Sequence, residues 1–362
     1  MPESLPLVES VSARLDALFA ERRPQLRALN PELDALMDQL VAFTAGGKRT
    51  RARFLAAGAR MPRTATDPDL GRAVVDAATA LELFHAAALA HDDILDRSDT
   101  RRGKPSMHRA FEGKHHEAGW VGDPEHFGLS AAILAGDLLL MWSDDLRLEA
   151  ASHVRTSRGQ AAIAEFSRMR TEVTAGQYLD VVAELAWQQI ARDERADRAI
   201  AIAAAKSASY SVEAPLVIGA RLAGADDQLV GHIRAMGLPL GLAFQVRDDV
   251  LSVFGDESIT GKPSGDDLRE GKRTLIIAEV DQRADDETRA FFEARLGAAD
   301  LTADEIARMQ DAIRDTGALD AVEAHIQRWL DEALAAMAEI DLDERTREHF
   351  RKLATAAARR EH

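Results

Sequence analysis

LGRAVVDAATALELFHAAALAHDDIL, residues 70–95, is the stretch whose reading decides the fold. Val74, Ala77, Ala78, Leu81, Phe84, Ala88, Leu89 and Leu95 recur at intervals of three and four, and neither Gly nor Pro follows Gly71. That period predicts one long, buried helix. Working outward, the same pattern predicts helices over 126–151, 156–189, 194–223, 226–254, 273–282 and 302–340. Pro215 and Pro239 fall inside two of them and are expected to kink or divide them. Segments 114–124 and 255–271, punctuated by Gly and Pro, read as loops. No segment alternates as a strand would, so the expected fold is an all-α bundle in one large domain spanning 1–362.

Composition narrows the classes further. Hydrophobic residues make up 46% of the 362 and charged residues 29%, enough apolar matter for a sizeable core. A net charge of −16 argues against sequence-independent nucleic-acid binding, which needs a cationic surface. An anionic ligand would need a local cationic pocket or bound metal. Absence of Cys excludes disulfides, thiolate metal sites and cysteine nucleophiles. The first ten residues carry Glu3 and Glu9 with no basic or apolar leader pattern, and no uninterrupted apolar run nears the roughly 20 residues of a membrane span. The expected localisation is cytoplasmic.

Two acidic clusters close apolar helical runs. In His91-Asp92-Asp93-Ile94-Leu95-Asp96, Asp92 and Asp96 stand four apart, about 40° from each other on one face. Stacked carboxylates repel unless a cation lies between them, and Mg²⁺ takes such oxygens together with water and phosphate. Solvated acids at a helix end are the bland alternative, which the negative end of the helix dipole disfavours. Asp248-Asp249, within FQVRDD at 244–249, repeats the arrangement. The pair of clusters is expected to form facing walls of one cavity for diphosphate chemistry.

Bases supply the complement. Gly46-Gly47-Lys48-Arg49-Thr50-Arg51 is a glycine-flexed loop opening a helix, suited to collecting a phosphate, but it lacks P-loop spacing. Arg101-Arg102-Gly103 follows Asp96 closely enough to fold back over it. Lys262 and Lys272 bracket the glycine-rich loop, and Lys206 sits among Ala203, Ala204, Ala205 and Ala208 as an inward-facing base or a snorkelling one. His85, three residues after Glu82, is either a core histidine satisfied by that acid or a ligand-binding one.

Taken together, these residues resemble the trans-isoprenyl diphosphate synthases, or polyprenyl synthetases. The resemblance rests on GGKRTR at 46–51, ELFHAAALAHDDILDRSDTRRGKPSMH at 82–108, GQYLD at 176–180, Lys206-Ser207, FQVRDD at 244–249, Gly255-Asp256 and GKPSGDDLREGKRT at 261–274. These motifs stand in family order over about 46–274. GWVGD at 119–123 and RMRTEVTAGQYLD at 168–180 are most similar to the actinobacterial geranylgeranyl diphosphate synthases. The resemblance implies an isoprenoid-synthase-type helical bundle around a deep central cavity, active as a homodimer. It also implies head-to-tail condensation of isopentenyl diphosphate with an allylic diphosphate, assisted by three Mg²⁺. By the same analogy Asp92 and Asp96 hold two ions and Asp248 the third, with Asp93 among the catalytic acids. Arg101, Lys206, Ser207, Lys262 and Lys272 clamp the allylic diphosphate, and Gln245 lies near its allyl group. Gly47, Lys48, Arg51, His85 and Arg102 bind isopentenyl diphosphate. The departing diphosphate accepts the proton, so no protein base is required.

Two positions depart from the family pattern: Ser252 stands where a third Asp is usual, and Ala52 where Pro commonly follows the basic loop. With diphosphate held at Asp92, the growing chain is expected to run back past Ala87 and Ala88 to Phe84, about 12 Å away along the helix. Small residues at 87 and 88 leave room beyond C15, and Phe84 as a floor, rather than as core packing, favours C20. A synthase of another chain length, a class I terpene cyclase and a non-catalytic helical partner of a prenyl synthase are the competing readings. The cyclase would not need GGKRTR, and the partner would be expected to have lost site residues.

Overall fold

The computed structural model describes residues 4–62, 68–255 and 264–359. Among them the chain is all-α apart from one hairpin of two two-residue strands. It forms two compact units, one of Met1–Phe166 with Pro215–Asp226, the other of Ser167–Ala214 with Asp227–His362.

In the first unit, α1 (Ser4–Leu29), α2 (Leu33–Thr44) and α3 (Thr50–Ala59) precede α4 (Leu70–Leu95), whose bounds match the predicted helix. Sixteen of its residues are buried, because apolar side chains occupy every face. The hairpin of β1 (Thr100–Arg101) and β2 (Lys104–Pro105) turns the chain back after α4. α5 (Met107–Ala118) then leads to α6 (Pro124–Ser152), the principal packing partner of α4. The loop expected at 114–124 is shorter, residues 119–123: buried Phe111 and His115 carry α5 on to Gly119, whose left-handed φ of 63° ends it. Asp123 caps α6, accepting from the backbone N–H of Glu125 at 3.0 Å, with Pro124 at the first helical position.

α7 (Thr156–Ala186) belongs to the first unit as far as Phe166 and to the second thereafter. Pro215 does not leave a gap. The chain passes from α8 (Arg195–Ala203) through a π-helix at Ala204–Glu213 into α9 (Ala214–Ala223), the wider turns absorbing the missing proline N–H. Pro239 lies within an unbroken α10 (Asp227–Phe254); the carbonyl it strands, that of Ala235, belongs to an exposed residue that water can serve. After α11 (Asp266–Glu270), α12 (Leu275–Arg283) and α13 (Asp286–Arg295), the helix expected over 302–340 divides into α14 (Ala303–Asp315) and α15 (Ala318–Ala338), because Gly317 adopts φ 73° between them. α16 (Glu344–Arg359) closes the chain. Arg247 of α10 ties these last helices, donating to both oxygens of Glu323 at 2.6 Å and to the Ala358 carbonyl at 3.0 Å.

Three helices, α4, α6 and α10, have the length and mean hydropathy of a membrane span, but the apolar window of α4 is 78% buried inside the protein. Packing accounts for its hydropathy. Within the first unit α3 and α9 cross at backbone contact through a reciprocal glycine pair: a Cβ on Gly58 would collide with the Leu216 carbonyl, and one on Gly219 with that of Leu55. Gly58→Ala therefore costs about 2–3 kcal/mol or more, read as a lowered Tm. An unchanged Tm would contradict the close crossing.

Candidate active site

In the first unit, three of the four residues preceding α3 have positive φ: Gly46 (73°), Gly47 (90°) and Arg49 (49°). This left-handed turn exposes Lys48 and leaves Arg51 half-buried while Arg49 points inward. A Cβ on Gly47 would lie 3.4 Å from the guanidinium of Arg102, so the absent side chain lets the loop approach the hairpin turn. Arg102 itself holds φ 54° beside Gly103 at 70°. His85 completes the group from α4. It keeps some accessible surface, yet protein crowds its ring. Desolvation, followed by the charges of Arg51, Arg102, Arg101 and Arg49, pushes it well below the usual histidine range. Burial also lowers Arg102, opposed by the charge of Glu82 and reinforced by neighbouring arginines. The structure thus gathers Gly47, Arg51, His85 and Arg102 around a neutral imidazole in a cationic surround.

A neutral, desolvated histidine has a consequence for stability. The folded protein binds fewer protons at this group than the unfolded chain, whose histidine titrates near 6.5. The contribution is complete above that value and is lost as pH falls below it toward the depressed folded pKa. Wild type is therefore expected to lose more Tm between pH 7.5 and 5.5 than His85→Gln does; equal losses would remove His85 as the cause.

The three acids closing α4 are not equivalent. Asp92 and Asp96 are half-buried and accessible, whereas Asp93 is wholly buried and accepts from Arg101, whose Nε stands 2.8 Å from its Oδ1. Asp93 and Arg101, both expected to act directly, hold each other. Further back on α4, Ala87 is fully buried and Ala88 only partly, and Phe84 packs edge-on against Phe166 with ring centres 6.4 Å apart.

The second unit carries the other acids. Asp249 is buried on α10 and receives a 2.8 Å hydrogen bond from Gln245 Nε2. Burial first, then the charges of Asp267, Asp248 and Asp180, push its carboxyl well above the usual range, against the lowering effect of Gln245. Ser252, in the place of the usual third Asp, donates to Asp267 Oδ1 at 2.5 Å. Lys206 points inward from the π-helix, its Nζ 2.5 Å from Asp180 Oδ2, with Ser207 half-buried beside it. Gly176 permits this approach, since a Cβ there would meet the Lys206 backbone. Lys272 Nζ lies 3.5 Å from the same Asp180 oxygen and 3.4 Å from Glu184 Oε1. Lys262 lies outside the described residues.

Asp180, Glu184 and Asp267 had no assigned role in the sequence reading. The available signal for Asp180 was its place in GQYLD; nothing local marked its two lysines, at positions 206 and 272. In the first unit, the accessible oxygen donors of Asp92 and Asp96, one turn apart on α4, fit a hard divalent cation such as Mg²⁺.

The sequence profile of the polyprenyl synthetases matches residues 30–313. The chain belongs to the polyprenyl synthetase family. Among solved structures, this synthetase is similar to a geranylgeranyl pyrophosphate synthase from Corynebacterium glutamicum, determined with isoprenyl diphosphate and magnesium. The two share 36% identity and a TM-score of 0.91, with 98% of each chain covered. It is 34% identical to the geranylgeranyl diphosphate synthase of Methanosarcina mazei over 74% of this chain and 71% of the relative. It is 31% identical to the geranylfarnesyl diphosphate synthase of Aeropyrum pernix over 80% and 82%. As a member of the family it is a prenyltransferase of isoprenoid biosynthesis.

Proposed function

We propose that this polyprenyl synthetase condenses isopentenyl diphosphate with an allylic diphosphate head to tail and releases chiefly the C20 product, geranylgeranyl diphosphate. The observation that carries this reading is the basic nest itself: Arg51, Arg102, Arg101 and Arg49 surround a neutral His85 on the helix that closes with Asp92 and Asp96. Gly47, Lys48, Arg51, His85 and Arg102 bind isopentenyl diphosphate as a pure anion. Asp92, Asp96 and Asp248 would hold three Mg²⁺ ions, whose chemistry is to neutralise the allylic diphosphate and make it a leaving group. Arg101, Lys206, Ser207, Lys262 and Lys272 complete the charge on that diphosphate, Asp93 orients Arg101, and Gln245 lies beside the allyl group. The C–O bond breaks, the isopentenyl double bond attacks the allylic cation, and the released diphosphate takes the proton.

Small residues at 87 and 88, Phe84 behind them and the products named for two of the relatives above support C20. The profile match runs through residues of both units, which supports one catalytic domain over 1–362, and the enzyme is taken as cytoplasmic. Ile133, Leu134, Met141 and Leu148 leave an exposed apolar face on α6, with 134, 141 and 148 at seven-residue spacing. Asp137, Asp144 and Asp145, which stand between them, face His91, Arg147 and Arg22 of the same chain, and a second copy of the chain is the occupant of the apolar face in a homodimer.

Incubation with radiolabelled isopentenyl diphosphate, each allylic starter in turn and Mg²⁺, followed by chromatography of the dephosphorylated products, tests the reaction. A dominant C20 alcohol is expected. C25 or longer products would retain the chemistry and overturn the floor, and no elongation with any starter would overturn the function.

A further inference from the structure

Arg49 is the inward-facing member of the basic loop, and the proposed function gives it no substrate. It is 6% exposed, in a loop whose residues from Ala45 to Lys48 are all exposed. Its Nη1 donates to Glu82 Oε2 on α4 at 2.9 Å, and its Nη2 donates to the carbonyl of Thr44, the last residue of α2, at 2.8 Å. One guanidinium thus joins the end of α2, the start of α3 and the middle of α4. It does so from a left-handed conformation that is unfavourable for an L side chain. Such strain persists where the surroundings over-determine it. Glu82 is equally buried, and its carboxylate lies within reach of the arginine group: its charge acts on Arg102, which also feels Arg49, Arg101 and Arg51.

We infer that the Arg49–Glu82 pair is a positioning device that sets affinity for isopentenyl diphosphate by holding the Gly46–Arg51 turn in its left-handed form. The inference rests on the assignment of Gly47, Lys48 and Arg51 to that substrate. Arg49 holds the backbone so that Lys48 stays exposed while Arg51 lies half-buried beside His85. Glu82 supplies the buried negative charge that lets the arginines stay gathered when no anion is bound. Neither residue touches the allylic diphosphate or its metal ligands in this account, so their loss should fall on one substrate and not on both.

The test is steady-state kinetics of wild type, Arg49→Gly, Arg49→Lys, Glu82→Gln and the double variant Arg49→Met/Glu82→Met, varying each substrate separately, with Tm measured alongside. Arg49→Gly keeps the left-handed turn at no steric cost and removes only the side chain, so it separates the staple from backbone preference. Replacing both members by apolar residues removes the buried charges together and can preserve stability. Expected are rises in KM for isopentenyl diphosphate of about 10²-fold in Arg49→Gly and in the double variant, as misplacement of a binding group produces. KM for the allylic substrate stays within about 3-fold. Arg49→Lys, which keeps the charge but not the two-pronged contact, should fall between. A merely structural role would move Tm and both KM values together, and the double variant would recover all three. Either that pattern or an unchanged isopentenyl KM in Arg49→Gly overturns the inference. Wild type that fails to elongate any starter would instead overturn the proposed function, and this inference with it.

Discussion

Asp92→Ala lowers kcat/KM for the allylic diphosphate by about 10³-fold or more, at least about 4 kcal/mol of transition-state stabilisation, and leaves Tm almost unchanged. The asymmetry follows from where the carboxylate sits. Asp92 is half-buried in the last turn of α4, where the negative ends of the helix carbonyls disfavour its charge, so its removal costs far less packing than that of a wholly buried acid. Asp93, its neighbour, gives the opposite signature. It is wholly buried against Arg101, and Asp93→Ala breaks that ion pair, a loss of about 3–5 kcal/mol in stability that accompanies any loss of activity. Single-turnover kinetics and thermal unfolding of the two variants separate the roles. Equal Tm losses, or near-normal turnover in Asp92→Ala, would sink the assignment of Asp92 as a metal ligand.

That difference between adjacent acids marks how far the sequence could be read. The extent of α4, Leu70–Leu95, was legible because apolar residues surround the helix and no other structure buries such a run. Both acidic motifs were legible as well, since their spacing is local. α1 was missed although Val11, Leu15, Leu18 and Phe19 repeat at helical intervals, because charged residues fill the remaining faces. One of those charges, Arg14, has its partners at Asp76 and Glu149, far along the chain. The division at Gly317 escaped because glycine inside a periodic pattern is tolerated in a helix, and only its positive φ shows that the helix stops. The site's internal pairings were beyond reach for the same reason of distance. Arg49 and Glu82 are 33 residues apart, Asp180 and Lys206 26, and Ser252 reaches Asp267 only after the chain has turned back on itself. Ser252 stands where a third Asp is usual, and its hydroxyl donates to Asp267, a carboxylate of α11. Local pattern named the chemistry, and long-range packing decided which residue serves substrate and which serves another residue.

Phe84→Ala moves the dominant product from C20 to C25 or longer, and Ala88→Phe moves it to C15. Ala88 is partly accessible on α4, four residues nearer the acids than Phe84, so a ring at 88 shortens the available path by about 6 Å. Ala87 is fully buried and cannot take a ring without overpacking, which makes position 88 the informative one. Phe84 is also a core residue, 5% exposed and edge-on to Phe166, so its truncation costs about 3–5 kcal/mol and lowers Tm whatever its effect on product. Stability alone therefore cannot identify a floor. The product distribution can: a side chain that only packs the core would yield a less stable enzyme still making C20. Phe84→Leu, which retains most of the volume, is expected to recover much of the lost Tm with a smaller lengthening. The ordering of product length, Ala88→Phe below wild type, then Phe84→Leu, then Phe84→Ala, follows only if chain growth proceeds along this face of α4. Chromatography of the dephosphorylated products from all four enzymes at matched turnover reads that ordering directly, and a C20 product from Phe84→Ala would return the residue to the core and leave the floor elsewhere.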